Sequence, residues 1–445
     1  MLGSCLNPVN SSMIATALVP IGQELGAGPA EAAALVAVLY LASAVAQPTM
    51  GRLAQWCGPR RVFVAGAVLV LVGGVVGASA ASLPVLLGAR VLLGIGTSAA
   101  YPTAMLLIRR RADEHGVEPP GSVLGWLTIA AQTTSALGLP IGGLLVGLWG
   151  WRATLLVNIP VAVLCGLMAW SWVPRDPPGP ARRRPLQIAS ELDVLGIALF
   201  SAAATALLLV LLPVQRPLPV VAALAVACFG AFVWWERRAR EPFVDVRRLV
   251  ANVGLSRTYL RTGLSYLLTY SVLFGFTQWL QAGRGLSAEQ AGLVMLPMMV
   301  TSVLVAAAVS RRRLVRAPLL VAALVALAVA GVMRLGGATT PVVLIVVVVA
   351  VFGLTMGLVA VGNQAALYVQ VSARGMGVAA GLLRTSIYLG AILSSAATGL
   401  VFGSAGLTDA GLHRLAELLA VLAAVLVLFT LLDRGLPRRM ENERG

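Results

Sequence analysis

The stretch Leu124 to Pro160, LGWLTIAAQTTSALGLPIGGLLVGLWGWRATLLVNIP, decides the fold. It reads as a long apolar helix, a tight turn at Trp149-Gly150-Trp151 and the start of a second helix. Gly138 and Gly142 stand four residues apart, as do Gly143 and Gly147, so one helical face is nearly bare and another helix can come close. Pro140 lies between them. It removes one backbone donor and frees the carbonyl of Ala136, which predicts a kink where glycines already soften the helix. A bent, smooth helix suits a sliding interface better than a static core.

Outward from this stretch the chain keeps the same character. Hydrophobic residues make up 59% and charged residues 11% of the 445, with a mean hydropathy of +0.90. That balance excludes a water-soluble globular protein. The apolar runs are mostly long enough for helices of about 20 residues to cross a hydrocarbon layer roughly 30 Å thick, and the alternation of a β-barrel is absent. The expectation is an all-α integral membrane protein with fourteen transmembrane helices, near 2–21, 31–48, 62–79, 83–108, 122–148, 153–173, 195–212, 218–235, 259–280, 291–310, 318–333, 341–367, 375–402 and 412–432.

Charge placement orients these helices. All 33 basic residues are arginine, and most fall in loops on one side. Arg152, Arg216, Arg284, Arg334 and Arg414 fall on the other, while Arg90 and Arg384 lie within helices. By the positive-inside rule both termini are expected in the cytoplasm of a multi-pass protein of the plasma membrane. The net charge of +16 then reads as cytoplasmic-face arginine near anionic lipid, with no nucleic-acid partner.

Met1 falls almost inside the first helix without a basic flank, which points to a misplaced start or a shortened chain. Ala15-Thr16-Ala17 has the look of a signal cleavage site, but Asn7, Pro8, Asn10, Ser11 and Ser12 interrupt the apolar core a signal needs. The segment is therefore read as a polar-lined transmembrane helix. Its polar cluster is costly in lipid and is expected to face the protein interior or a watery cavity.

The glycines of the opening stretch resemble the antiporter motif of the major facilitator superfamily, G-x8-G-x3-G-P-x2-G-G, at Gly125, Gly138, Gly142 and Gly143. Thr134 stands where the family has glycine, and Leu139 where it has proline, with Pro140 one place later. Trp151-Arg152 and Asn158-Ile159-Pro160 resemble the W-R...N-x-P signature of the fourteen-helix drug:proton antiporter branch. Further along, Gly51-Arg52-Leu53-Ala54-Gln55-Trp56-Cys57-Gly58-Pro59-Arg60-Arg61 resembles the loop G-x-L-a-D-r-x-G-r-r. There Gly51 and Gly58 supply the turn, and Arg60 and Arg61 can bind helix-end carbonyls. Gln55 replaces the family's aspartate, which leaves the charged latch built on that acid without its usual group. Leu86, Arg90, Gly94 and Gly96 resemble L-x3-R-x2-q-G-x-g, with Leu93 replacing the polar residue.

The resemblance implies two six-helix bundles, at 1–174 and 249–435, with cytoplasmic linkers and an inserted helix pair at 175–248 and a cytoplasmic tail at 436–445. The run Glu236 to Arg247 resembles the E-r-x3-e-P-l-l-d-l-r stretch that follows the branch's inserted pair, and a second basic turn at Ser310 to Pro318 repeats the first. It also implies alternating access, with the bundles rocking around a midplane cavity.

Arg90 lies roughly 10 Å and Arg384 roughly 13 Å from a helix end at about 1.5 Å per residue. Arginines at such depth are candidates for function, against the alternative of bracing helices through carbonyls. Asn7, Asn10, Gln132, Gln278, Gln281, Asn363 and Gln364 are candidates to line a substrate cavity, although a buried amide more often bonds a neighbouring helix. The 17 acids offer none deep in a helix, so Glu31 and Glu417 stand as the candidates for proton coupling. In the family an acid in the first helix commonly serves that purpose, and here Asn7 and Asn10 occupy that region.

The four cysteines are scattered without metal spacing, and no nucleophile or phosphate-binding constellation is present. An enzyme is not expected, nor a cofactor or metal. The expected function is proton-linked efflux of drugs or other small amphipathic molecules, by a monomer whose partners are substrate, protons and lipid. An exporter of an anionic or neutral metabolite, or a non-transporting receptor, remains the alternative.

Overall fold

The computed structural model describes residues 2–114, 134, 137–176, 193–211, 218–239, 242, 243, 247, 251–310, 312, 314–371, 376–433, 435 and 436. It is helical throughout. In chain order the helices are α1 (Leu2–Leu25), α2 (Pro29–Cys57), α3 (Pro59–Ala78), α4 (Leu83–Ser98), α5 (Ala100–Glu114) and α6 (Leu137–Trp149). There follow α7 (Ala153–Leu156), α8 (Asn158–Trp172), α9 (Val194–Leu211), α10 (Leu218–Glu236) and α11 (Val253–Tyr270). The last are α12 (Ala288–Ser310), α13 (Arg316–Leu335), α14 (Val342–Gln370), α15 (Met376–Ala405) and α16 (Asp409–Leu432).

The helix boundaries follow from local chemistry. Proline occupies the first turns of α3 and α4, where its absent N–H is no loss. The Asn252 side chain accepts from the backbone of Leu255 at 3.0 Å to start α11, and Glu31 accepts from Gly28 at 3.0 Å to start α2. Gly58 at φ +95° separates α2 from α3, and Gly150 at φ +76° makes the turn expected between α6 and α7. Both angles lie in the left-handed region that a Cβ disfavours. Beyond α11 the helical path continues through the wider turns Ser271–Phe276 and Trp279–Gly283, where Arg284 donates back five residues to Trp279 at 3.0 Å.

Among the described residues, ten helices are long and apolar enough to cross a membrane. The protein is an all-helical, multi-pass membrane protein. Four expected spans fall outside the ten. Helix α1 carries Asn7, Asn10, Ser11 and Ser12, and α11 carries Arg257 and Arg261, so the mean hydropathy of each is lowered. Helices α6 and α9 are described continuously only over Leu137–Trp149 and Val194–Leu207.

The chain divides into two units by backbone contact. One comprises Met1–Ser11, Ala34–Ser135 and Trp149–Val246; the other comprises Ser12–Ala33, Ala136–Leu148 and Arg247–Gly445. In the first, α3 packs on α4 and α8, and α9 pairs with α10. A Cβ on Gly66 would lie 2.8 Å from the Gly96 carbonyl, and one on Gly96 would lie 2.6 Å from that of Gly66. Small residues let these backbones meet, which matters in lipid because apolar burial by itself gives helices no preference for one another. In the second unit, α12 packs on α14, α13 on α14 and α16, and α11 on α15.

Candidate functional site

Arg90 is fully buried on α4. Its Nε donates to the Leu35 carbonyl of α2 at 3.1 Å, while Nη1 and Nη2 have no hydrogen-bond partner among the described residues. The Tyr40 side chain lies within electrostatic range. A guanidinium held by one edge with two nitrogens unspent can bind an anion, a dipole or water.

In the same unit, Asn10 of α1 faces Asn158 of α8. The two amides exchange hydrogen bonds: Asn158 Nδ2 donates to Asn10 Oδ1 at 3.0 Å, and Asn10 Nδ2 donates to Asn158 Oδ1. Asn158 also donates to the carbonyls of Leu155 at 3.1 Å and Thr154 at 3.3 Å. Asn10 is thus bound to the asparagine of the N-x-P sequence. The side chain of Asn7, together with Gly125 and Gln132, lies outside the described residues.

The sequence Gly51–Cys57, expected as a loop, is instead the end of α2, and the turn is confined to Gly58. The start of α3 is held by Asp176, which follows α8. Its carboxylate accepts from the backbone N–H groups of Arg61 at 2.9 Å and Arg60 at 3.3 Å, where the helix dipole favours negative charge. The Arg60 guanidinium donates to the Trp170 carbonyl and lies 4.6 Å from the centre of that indole. Gln55 is exposed. A Cβ on Gly51 would make ordinary contact with Pro102 at 3.5 Å.

In the second unit, Gly138, Gly142 and Gly143 are buried and Pro140 is half-buried on α6. A Cβ on Gly142 would lie 2.7 Å from the Met13 carbonyl, and one on Gly143 would lie 2.6 Å from that of Ala288. The helical path beyond α11 carries two buried glutamines, Gln278 between the wide turns and Gln281 in the second. Gln278 Nε2 donates to the Phe274 carbonyl at 3.3 Å, and Gln281 Nε2 has no partner among the described residues. Arg384 is half-buried on α15 within electrostatic range of Tyr266, and Gln364 is half-buried on α14.

Asn363 joins a cluster of charge. Arg261 Nη1 bonds Asp433 Oδ2 at 3.0 Å, its Nε donates to Asn363 Oδ1 at 3.4 Å, and its Nη2 donates to Thr258 Oγ1 at 3.0 Å. Thr258 in turn donates to Gln370 at 2.8 Å, and Arg257 approaches Asp433 Oδ1 at 3.3 Å. A cavity of about 10 Å³, room for about one water, lies beside Arg261, Ser265, Thr355 and Thr430. Glu31 and Glu417 sit elsewhere. Glu31 is exposed at the start of α2, and Glu417 pairs with Arg334 at 3.0 Å with both side chains more than half exposed.

The sequence profile of the Major Facilitator Superfamily matches residues 1–395. The chain belongs to that superfamily. As a major facilitator protein it is a membrane transporter and not an enzyme. It is 34% identical over 405 residues to the uncharacterized MFS-type transporter YwoD of Bacillus subtilis, spanning 90% of this chain and 88% of that one. It is 30% identical over 421 residues to the tetracenomycin C resistance and export protein of Streptomyces glaucescens, spanning 91% of this chain and 74% of that one. Its fold is that of a bacterial homologue of the human drug peptide transporters PepT1 and PepT2, with a TM-score of 0.66 at 14% identity over 97% of this chain and 95% of that one.

Within this transporter the sequence reading passed over three acids. Asp433 and Asp193 are 3% and 4% exposed, and Glu236 is fully buried. Each lies at a helix end, where charge along the sequence is the same whether the end is wet or packed. The signal that could have found them is their position flush against an apolar run, with arginine or tryptophan available to bind them.

Proposed function

We propose that this transporter exports small amphipathic molecules, drugs among them, by proton-linked alternating access. The observation that carries this reading is Arg90, a fully buried cation whose Nη1 and Nη2 have no hydrogen-bond partner among the described residues, in a helix long and apolar enough to span the membrane. Such a group is costly there and is retained where a ligand or an exchanging proton uses it. The name of the Streptomyces glaucescens relative, a resistance and export protein, supports the direction. In this reading fourteen spans form two six-helix bundles and an inserted pair, both termini face the cytoplasm, and the protein works as a monomer in the plasma membrane among lipids. Arg90, Arg384, Gln278, Gln281, Asn363 and Gln364 bind substrate, and Glu31 or Glu417 exchanges the proton. The glycines of α6 and of the α2–α3 junction permit the conformational change.

An anionic or neutral substrate is the second reading. The mutual Asn10–Asn158 amide pair favours it, because neither residue can titrate and the same unit holds the buried cation Arg90. Efflux of a cationic and an anionic dye from inverted vesicles, with and without an imposed proton gradient, separates these readings. Gradient-dependent cation movement supports antiport of the first kind. Anion movement, or cation movement indifferent to the gradient, supports the second. No movement of either dye removes both readings of the substrate.

A further inference from the structure

The peptide bond between Pro242 and Phe243 is gripped from both sides by opposite charges. Its N–H donates to Asp193 Oδ2 at 2.9 Å, and its carbonyl accepts from Arg52 Nη2 at 3.1 Å. Asp193 stands at the start of α9, and Arg52 lies in the last turns of α2. One amide therefore joins the helix pair α9–α10 to the end of α2.

The grip on the pair is specific. Asp193 holds φ +53°, a left-handed angle uncommon outside glycine, and three hydrogen bonds fix it there. Besides the Phe243 N–H, its Oδ1 accepts from the Gly196 backbone at 3.0 Å and from Trp235 Nε1 at 2.6 Å. A single carboxylate thus binds the start of α9, the end of α10 and the chain that leaves them. Phe200 of α9 lies 5.6 Å from both Phe232 of α10 and Phe243, so ring packing holds the same chain in place. Asp193 is 4% exposed, which shields these bonds from water. The positive N–H end of the amide meets the carboxylate and its negative carbonyl end meets the guanidinium, so each bond polarises the peptide in favour of the other.

The junction of α2 and α3, which turns at Gly58, is held by charge on both sides. Asp176 binds the first-turn backbone of α3 at Arg60 and Arg61, and the Pro242–Phe243 peptide binds Arg52 in the last turns of α2. We propose that the helix pair α9–α10 is a positioning element for this junction, acting through the relay from Asp193 through the peptide to Arg52. Arg52 and Asp193 are positioning residues of the transport cycle, and the pair sets where the end of α2 stands as the transporter changes state. The transport part of this statement rests on the exporter reading; the coupling of the two ends does not.

The test uses the full chain in lipid nanodiscs, with hydrogen exchange followed by mass spectrometry over peptides containing Gly196 and Phe243. Arg52→Ala is expected to speed exchange there by at least about twofold, although Arg52 donates to neither amide. Arg52→Lys, which can still donate to the carbonyl, is expected to restore most of the protection. Arg52→Ala combined with Asp193→Asn is expected to exchange no faster than Asp193→Asn alone. Arg152→Ala removes a donor to the Ala80 carbonyl at 3.2 Å and is expected to leave both amides unchanged. Unchanged exchange at Gly196 in Arg52→Ala, or additive effects in the double variant, overturns the relay. Should Asp193→Asn not accumulate, the Arg52 variants decide the matter. Ethidium efflux from vesicles is then compared. A lower maximal rate in Arg52→Ala at unchanged half-saturation supports the positioning role, and an unchanged rate overturns it. Absence of ethidium efflux in the unmodified protein removes the reading of a cation exporter and leaves the exchange result standing.

Discussion

Arg261 on α11 and Asp433 just beyond α16 form an ion pair 3.0 Å long in which both side chains are 1% exposed. Burying such a pair is costly, and removing one partner is costlier because the other charge stays buried. Asp433→Ala should therefore destabilise the protein by about 3–5 kcal/mol, read as loss of thermal stability in detergent. The paired change Arg261→Met with Asp433→Leu should recover most of that loss. Arg257, whose side chain is 46% exposed, should contribute less than about 1 kcal/mol on conversion to alanine.

Asn10→Ala leaves the Asn158 amide without its reciprocal partner in a dry setting. The expected cost is about 1–3 kcal/mol. Asn10→Ala with Asn158→Ala should cost less than the sum of the single changes, since one lost interaction is then counted once. Thermal unfolding of the four proteins checks this. Strict additivity would show that the two amides are not coupled.

Gly142→Leu should stop efflux while leaving membrane abundance unchanged. Even the first atom of a side chain there would lie 2.7 Å from the Met13 carbonyl, so α6 and α1 could not keep their approach. Gly147→Ala serves as the comparison, because its Cβ would meet Glu289 at an ordinary 3.4 Å. Normal dye movement in Gly142→Leu would remove this face of α6 from the transport cycle.

Arg90→Ala should lower efflux by about tenfold or more, the kinetic equivalent of losing one charge-assisted hydrogen bond of about 1.5–3 kcal/mol. Arg90→Lys keeps the charge but not the planar fork and should fall between the two. Unchanged kinetics in both would mean that Arg90 serves only to brace α4 against α2 through Leu35.

Glu417→Gln should alter stability by no more than about 0.5 kcal/mol, because its pair with Arg334 is exposed on both sides. Its effect on gradient-dependent efflux is thereby free of folding effects. If Glu31→Gln and Glu417→Gln together leave the gradient dependence intact, proton coupling belongs to another group.

The helices, the membrane class and the family were legible along the chain. Apolar runs of spanning length, proline at helix starts and glycine at Gly58 and Gly150 are local facts, and local chemistry is enough to place them. The glycines of α6 were legible for the same reason, since a face without side chains repeats every turn. Partners separated in sequence were not legible. Asn10 was read as a cavity residue, and only packing of α1 on α8 brings it to Asn158. Arg261 and Asp433 carry no sign of each other in the sequence, and burial at the meeting of α11, α14 and α16 makes them a dry ion pair. Asp193 and Arg52 carry no mark of their shared peptide. Sequence records which groups can bond and how often they recur along a helix; which distant groups meet, and whether water reaches them, depends on how helices far apart in the chain come together.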